Sequence, residues 1–219
     1  GMHMHGPEFY EAIIECVKEG SIPEKQIDAA VSKILEVKFR LGLFENPFID
    51  LKKKDEIVFN EKHQQTALEG ARKSIVLLKN EGNMLPLDAS KYKKVFVTGH
   101  NANNHSILGD WAMEQPEEHV TTVLKGLKAI SPETNYNFLD LGWNVRLLSD
   151  NQIKEAVQQG RSSDLAILVV GENSMRYHWN EKTCGENSDR YELSLPGRQQ
   201  ELVEAVAATG AVSDTHLRA

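Results

Sequence analysis

Four acidic side chains, Glu172, Glu181, Glu186 and Asp189, lie in one polar stretch that also carries Tyr177, His178 and Trp179. Carboxyls beside flat rings fit sugar chemistry, in which carboxyl groups transfer protons and aromatic rings stack on pyranose faces. A working general acid must titrate near neutral pH, which takes partial burial or a neighbouring carboxylate. Most surface acids are only solvated, so local context has to discriminate. Glu186 follows Gly185 and precedes Asn187, Ser188 and Arg190, groups able to hold a carboxyl in place. That ranks it above Glu181 by a narrow margin. Trp179 and Tyr177 are the candidates for sugar stacking, with core filling under the loop as the alternative.

The stretch hangs from an apolar run, Leu165 to Val170, closed by Gly171. Short, branched and continuous, the run reads as a buried strand of a parallel sheet. Loops beyond the carboxyl ends of such strands are where open α/β sheets bind ligands. A loop of about 25 residues is too long for a plain connection, which marks it as functional or disordered. Pro196 and Gly197 then open a helix, GRQQELVEAVAATG.

Upstream, the order from Lys93 is strand (93–98), helix (121–130), strand (135–141), helix (151–159, capped by Ser149-Asp150) and strand (164–171). This alternation predicts an α/β fold with a parallel sheet and right-handed crossovers. The first third reads differently. A helix begins after Pro7, with Phe9, Ile13 and Val17 on one face, and ends at Gly20. A second, with Ser21 as candidate N-cap, runs to Leu41 through Ile27, Ala30, Val31, Ile34 and Leu35. A third is expected from Glu61 to Asn80, with Leu68, Ala71, Ile75 and Leu78 on one stripe. These helices have apolar faces but no strands to bury them against. The α/β part is short for a complete doubly wound sheet. Both features predict a piece of a larger protein.

Composition narrows the function classes. Of 219 residues, 40% are hydrophobic and 26% charged, an ordinary globular balance. A net charge of -7 argues against a nucleic-acid groove. No apolar run approaches membrane-spanning length. Cys16 and Cys184 are read as free thiols. His3 and His5 have ligand-like spacing, but no carboxylate or cysteine cluster supports them, so no metal is expected. GHNANNH contains only Gly99, so a dinucleotide fingerprint is absent and no cofactor is expected. An asparagine-rich turn bonding its own backbone is the better reading. Trp111, in the segment LGDW, reads equally well as a ligand-side aromatic or a core residue.

From about Phe9 to Gly210 the chain resembles glycoside hydrolase family 3. IDAAVSKILEVKFRLGLFENP is similar to the last helix of that family's (β/α)8 barrel and its exit, and ALEGARKSIVLLKNEGNMLPL to the segment leading into the second domain. VFVTGHNAN resembles the first strand and turn of the second domain, an α/β sandwich. LVVGE, GENSDR and LSLPGRQQELVEAV resemble its acid/base loop and following helix. The implied chemistry is retaining hydrolysis, with a barrel aspartate as nucleophile and a second-domain glutamate as acid/base, ~5–5.5 Å apart. By resemblance Glu186 is that glutamate, and Glu172 is a structural or supporting residue ending the strand.

The resemblance also shows what is missing. The matching nucleophile would lie upstream of residue 1, and AVSDTHLRA matches nothing expected of the family. The implied organisation is a barrel remnant (1–45), a linker with a long helix (46–90), a partial sandwich (91–210) and an unmatched tail (211–219). The implied fold is an incomplete three-layer α/β/α sandwich with a mainly parallel sheet, preceded by barrel helices. The parent would be an exo-acting β-glucosidase or β-xylosidase. Its partners would be an oligosaccharide or aryl β-glycoside and the upstream barrel, and neither nucleic acid nor membrane. Location stays open, with periplasmic or secreted parents as the family's prior. The chain by itself is expected to be inactive, with an unprotected sheet edge. The rival class is a non-catalytic carbohydrate-binding α/β module.

Overall fold

The structure, a computed structural model, describes residues 6–211 and 215–218, the last four as backbone. His3 and His5 lie outside the described residues. The chain divides into two compact units, residues 1–73 and 74–219.

The first unit is helical. α1 (Glu8–Lys18) starts behind Pro7, whose fixed φ suits a helix entrance, and α2 (Glu24–Arg40) starts behind Pro23. Ser21 does not cap α2. Its hydroxyl turns back and donates to the Cys16 carbonyl at 2.9 Å, closing the preceding turn instead. α3 (Lys54–Ile57) and α4 (Glu61–Ser74) follow, and the Asn60 carboxamide caps α4 by accepting from the His63 N–H at 2.9 Å. No residue of α1, α2 or α4 is fully buried. Val31, Ile34, Leu35, Val37 and Phe39 of α2 remain exposed.

The helix expected from Glu61 to Asn80 ends at Ser74. Val76–Asn80 is instead a strand, β1, paired antiparallel with β5 (Thr215–Arg218) from Val76 opposite Arg218 to Asn80 opposite Thr215. Ile75 and Val76 are β-branched and fit a pleated surface better than a helix, and a pairing partner decides the outcome.

The second unit is built on a parallel sheet of β2 (Lys94–Thr98), β3 (Asn135–Leu139) and β4 (Leu165–Leu168), in the order β3-β2-β4. Central β2 is buried on both faces. Val95 and Val97 look one way, into a cluster with Ala102, Leu124 and Leu165, to which α5 (Val123–Ile130) contributes. Phe96 looks the other way, into a cluster with Ile153 and Ala156 of α6 (Asp150–Arg161) and Leu202 and Val206 of α7 (Gln199–Ala207). The sheet therefore lies between helical layers, as an α/β/α sandwich requires. Each fully buried aliphatic or aromatic side chain contributes about 1.5–3 kcal/mol.

Local chemistry fixes the elements' ends. Ser149 and Gln152 form a reciprocal capping box on α6, with Gln152 N–H donating to Ser149 Oγ at 3.3 Å and Ser149 N–H to Gln152 Oε1 at 2.9 Å. The Asp164 carboxylate accepts from the Lys93 and Lys94 N–H groups, both at 2.9 Å, joining the foot of β4 to the foot of β2.

Candidate active site

The acid-rich loop leaves the carboxyl end of β4, next to central β2. Chain order β2, β3, β4 against spatial order β3-β2-β4 makes the gap between β2 and β4 the point where the connections diverge. Such a gap is the usual ligand crevice of an open α/β sheet. Here the protein fills it. Gly99, at φ 108°, turns so tightly that a Cβ there would lie 2.2 Å from the Val169 carbonyl oxygen. Asn101 donates its N–H to Val169 O at 3.3 Å and its amide Nδ2 to Glu172 O at 2.9 Å. The asparagine-rich turn thus anchors the root of the loop.

The loop's two ends meet on one side chain. Gln199 Oε1 accepts from the Gly171 N–H at 2.9 Å, while Nε2 donates to Gly171 O at 2.9 Å and Pro196 O at 3.1 Å. Between these ends only Arg176–His178 forms regular structure, a 3₁₀ turn. Glu172 pairs with the Arg190 guanidinium, which also donates to the Ser194 carbonyl at 2.6 Å. This acid therefore ties the returning arm to the root. Glu181 lies 3.5 Å from His178 Nδ1, and its carbonyl accepts from Arg146 at 3.1 Å. His178 stacks on Trp143 with centroids 4.5 Å apart. Asp189 is exposed.

Glu186 has a different setting. Its N–H donates to Asp110 Oδ2 at 2.7 Å, and its carbonyl accepts from the Lys182 ammonium. Lys182 Nζ is also 3.4 Å from Asp110 Oδ1 and 3.8 Å from the Trp179 ring centroid. Gly185 makes the approach possible. At φ 90°, its missing Cβ would sit 2.7 Å from Asp110 Oδ2. The Glu186 carboxylate points outward, 44% exposed, and pairs with Arg176. Arg176 lies 3.6 Å over the Trp111 ring and 5.3 Å from that of Trp179. Glu186 thus has a fixed backbone, an accessible carboxyl, and two tryptophans gathered around its cation partner.

The bond from the Glu186 N–H, followed by the Lys182 charge, holds the Asp110 carboxyl below the usual carboxylate range. Burial pushes the Cys184 thiol up, so it stays protonated beside the site. Among the described residues, no three His, Cys, Asp or Glu side chains gather as a metal site. Sequence reasoning missed Asp110, Lys182 and Arg176. Asp110 lies in the LGDW segment singled out for its tryptophan, and Lys182 stands four residues before Glu186, but charged residues in loops give no local sign of being buried.

The second unit of the chain is thus an α/β/α sandwich with a carboxyl-bearing loop at the switch point of its sheet. Residues 75–213 match the glycosyl hydrolase family 3 C-terminal domain. The chain belongs to glycoside hydrolase family 3. It is 37% identical over 194 residues to a β-xylosidase of Formosa agariphila, covering 85% of this chain and 25% of that protein. It is 30% identical over 213 residues to a β-glucosidase of Bacteroides ovatus, covering 90% of this chain and 27% of the other. Among solved structures, a β-glucosidase involved in saponin metabolism from intestinal bacteria superposes with a TM-score of 0.80 at 34% identity, over 94% of this chain and 31% of that one. A β-glucosidase from Listeria innocua in complex with glucose gives a TM-score of 0.73 at 26% identity, over 91% and 26%. The chain spans about a quarter of the length of the curated relatives it matches.

Proposed function

We propose that this chain supplies the acid/base carboxyl, Glu186, of a retaining, exo-acting β-glycosidase that removes terminal β-D-glucosyl or β-xylosyl residues. The observation that carries the reading is the contrast at Glu186, where both backbone groups are held and the carboxylate remains exposed. A group that protonates a leaving oxygen and then activates water must be held in place and still reach the substrate. In this reading the nucleophilic aspartate comes from a (β/α)8 barrel upstream of residue 1. Residues 1–45 are the end of that barrel, 46–90 the connection, 91–210 the sandwich and 211–219 a tail outside it. Trp179 flanks the site as an aromatic platform, and Glu172 supports the loop. The names of the relatives, β-xylosidases and β-glucosidases, support the sugar classes.

The test uses aryl β-glucosides and β-xylosides, with this chain alone and with the full-length enzyme carrying the barrel. The chain alone should be silent, because no covalent route exists without the nucleophile. In the full-length enzyme, Glu186→Gln should lower kcat by roughly 10²–10⁴-fold on alkyl glycosides, whose leaving group needs a proton. Dinitrophenyl glycosides, whose leaving group needs none, should keep most of their glycosylation rate. Hydrolysis by the chain alone, or a Glu186→Gln loss independent of leaving group, refutes the proposal.

A further inference from the structure

Lys182 is a buried cation that no proton-transfer step uses. Its side chain is 1% exposed, and that of its partner Asp110 is 11% exposed. An ammonium is costly to remove from water unless it is paired and hydrogen-bonded. Lys182 is satisfied in three directions, by the Asp110 carboxylate, the Glu186 carbonyl and the face of Trp179. Asp110 in turn takes the Glu186 N–H. The ion pair therefore meets both backbone polar groups of one residue, Glu186, across 76 positions of sequence. Gly185 adds a steric reason for the same placement, since only a residue without Cβ lets the chain press so closely on Asp110.

We infer that Lys182 and Asp110 are positioning residues that hold the backbone of Glu186, fixing where its carboxyl meets the leaving oxygen. This rests on Glu186 being the acid/base group. Neither residue touches substrate in this proposal. Losing Lys182 removes the ion-pair partner of Asp110 and frees the Glu186 carbonyl, so the loop shifts at the residue that must not move. A misplacement on the order of 1 Å lowers a proton-transfer step by up to 10²-fold without altering sugar binding.

The experiment is a leaving-group series in the full-length enzyme. Lys182→Met, Asp110→Asn, Glu186→Gln and the double variant Lys182→Met/Glu186→Gln are each assayed on a dinitrophenyl and an alkyl β-glycoside. Lys182→Met and Asp110→Asn should lower kcat/KM on the alkyl glycoside roughly 10–100-fold. On the dinitrophenyl glycoside, kcat/KM, which reports glycosylation alone, should fall less than about 3-fold. The double variant should be no slower than Glu186→Gln, because the lost positioning has nothing left to act on. Lys182→Arg, which keeps a cation and donors, should recover part of the loss. Equal losses on both substrates, or a double variant much slower than Glu186→Gln, overturn the positioning role and leave the acid/base reading intact. A Glu186→Gln variant with no leaving-group dependence overturns both. If Lys182→Met does not fold, Lys182→Arg and Asp110→Asn decide by the same comparison.

Discussion

Gln199 is fully buried, and its replacement by leucine tests the bonds that close the loop. Leucine nearly keeps the side chain's volume and leaves no large cavity. What disappears is the amide that satisfies the Gly171 N–H, the Gly171 carbonyl and the Pro196 carbonyl. Each buried polar group left without a partner costs about 1–3 kcal/mol. Leucine's better transfer into the core offsets roughly 2 kcal/mol of that total. At about 2 kcal/mol for each of the three groups, the expected net loss is about 4 kcal/mol, equivalent to a fall in Tm of roughly 8–16 °C for a domain this large. Urea titration followed by circular dichroism measures it. Leu202→Ala, at a fully buried position in the same helix, supplies a packing benchmark of about 2–5 kcal/mol. Gln199→Glu separates packing from bonding. An ionised carboxylate can accept from the Gly171 N–H but has no proton for the two carbonyls, whereas the protonated acid has one. The folded state then raises that carboxyl's pKa above its unfolded value. Stability should be nearest the parent's below the ordinary carboxylate range and fall as pH rises through the raised value. A Gln199→Leu variant within about 0.5 kcal/mol of the parent would refute the argument, because such a change is typical of a site with no special role.

Two further outcomes follow from geometry already described. Gly99→Ala combines a left-handed backbone with a Cβ placed 2.2 Å from a main-chain oxygen, so β2 and β4 must separate at their carboxyl ends. The loss should exceed about 3 kcal/mol in the same titration, and near-parental stability would show that the turn can relax. Asp164 is held below the usual carboxylate range by the N–H groups of Lys94 and Lys93, in that order. A depressed folded pKa gives stability that is fully present above the unfolded value, 3.8, and is lost as pH falls through the folded one. Asp164→Asn should therefore flatten the acid limb of the stability–pH curve below about pH 4, and an unchanged limb would refute the assignment.

Much of the second unit was legible because its signals are local. The apolar runs around Phe96 and Ala166, and the cap at Ser149, lie within a few residues of the elements they define. β1 was not legible. The stripe through Leu68, Ala71, Ile75 and Leu78 continues a helical rhythm, and the backbone that makes Val76–Asn80 a strand lies at 215–218. The acid loop shows the same division. Its length and its position after a buried strand set up the expectation of a functional or disordered segment, and the grouping Gly185, Asn187, Ser188 and Arg190 drew attention to Glu186. The groups that hold Glu186 were invisible for a physical reason. Asp110 and Lys182 are 72 residues apart, and a charged residue discloses its burial only when its counter-charge is known. Ser21 carried a capping signature that the chain uses differently, because its hydroxyl joins the Ile22 N–H on the Cys16 carbonyl and closes the turn after α1.

The filled crevice between β2 and β4 has a consequence for how such a scaffold can change. A nucleotide-binding sheet keeps that gap vacant as a berth, so the loops around it are constrained by the visitor's shape. Here Asn101 moors the loop's root to the sheet, and the tip beyond it is held by the protein's own groups, Asp110, Arg146 and Glu172, rather than by a visitor. Changes at exposed positions of the segment between Tyr177 and Leu193, such as Asp189 and Tyr191, leave those ties intact. The sheet is a quay and the loop a crane bolted to it, so a tip grafted from a relative should keep its shape only when the residues at Asp110 and Glu172 are carried over with it.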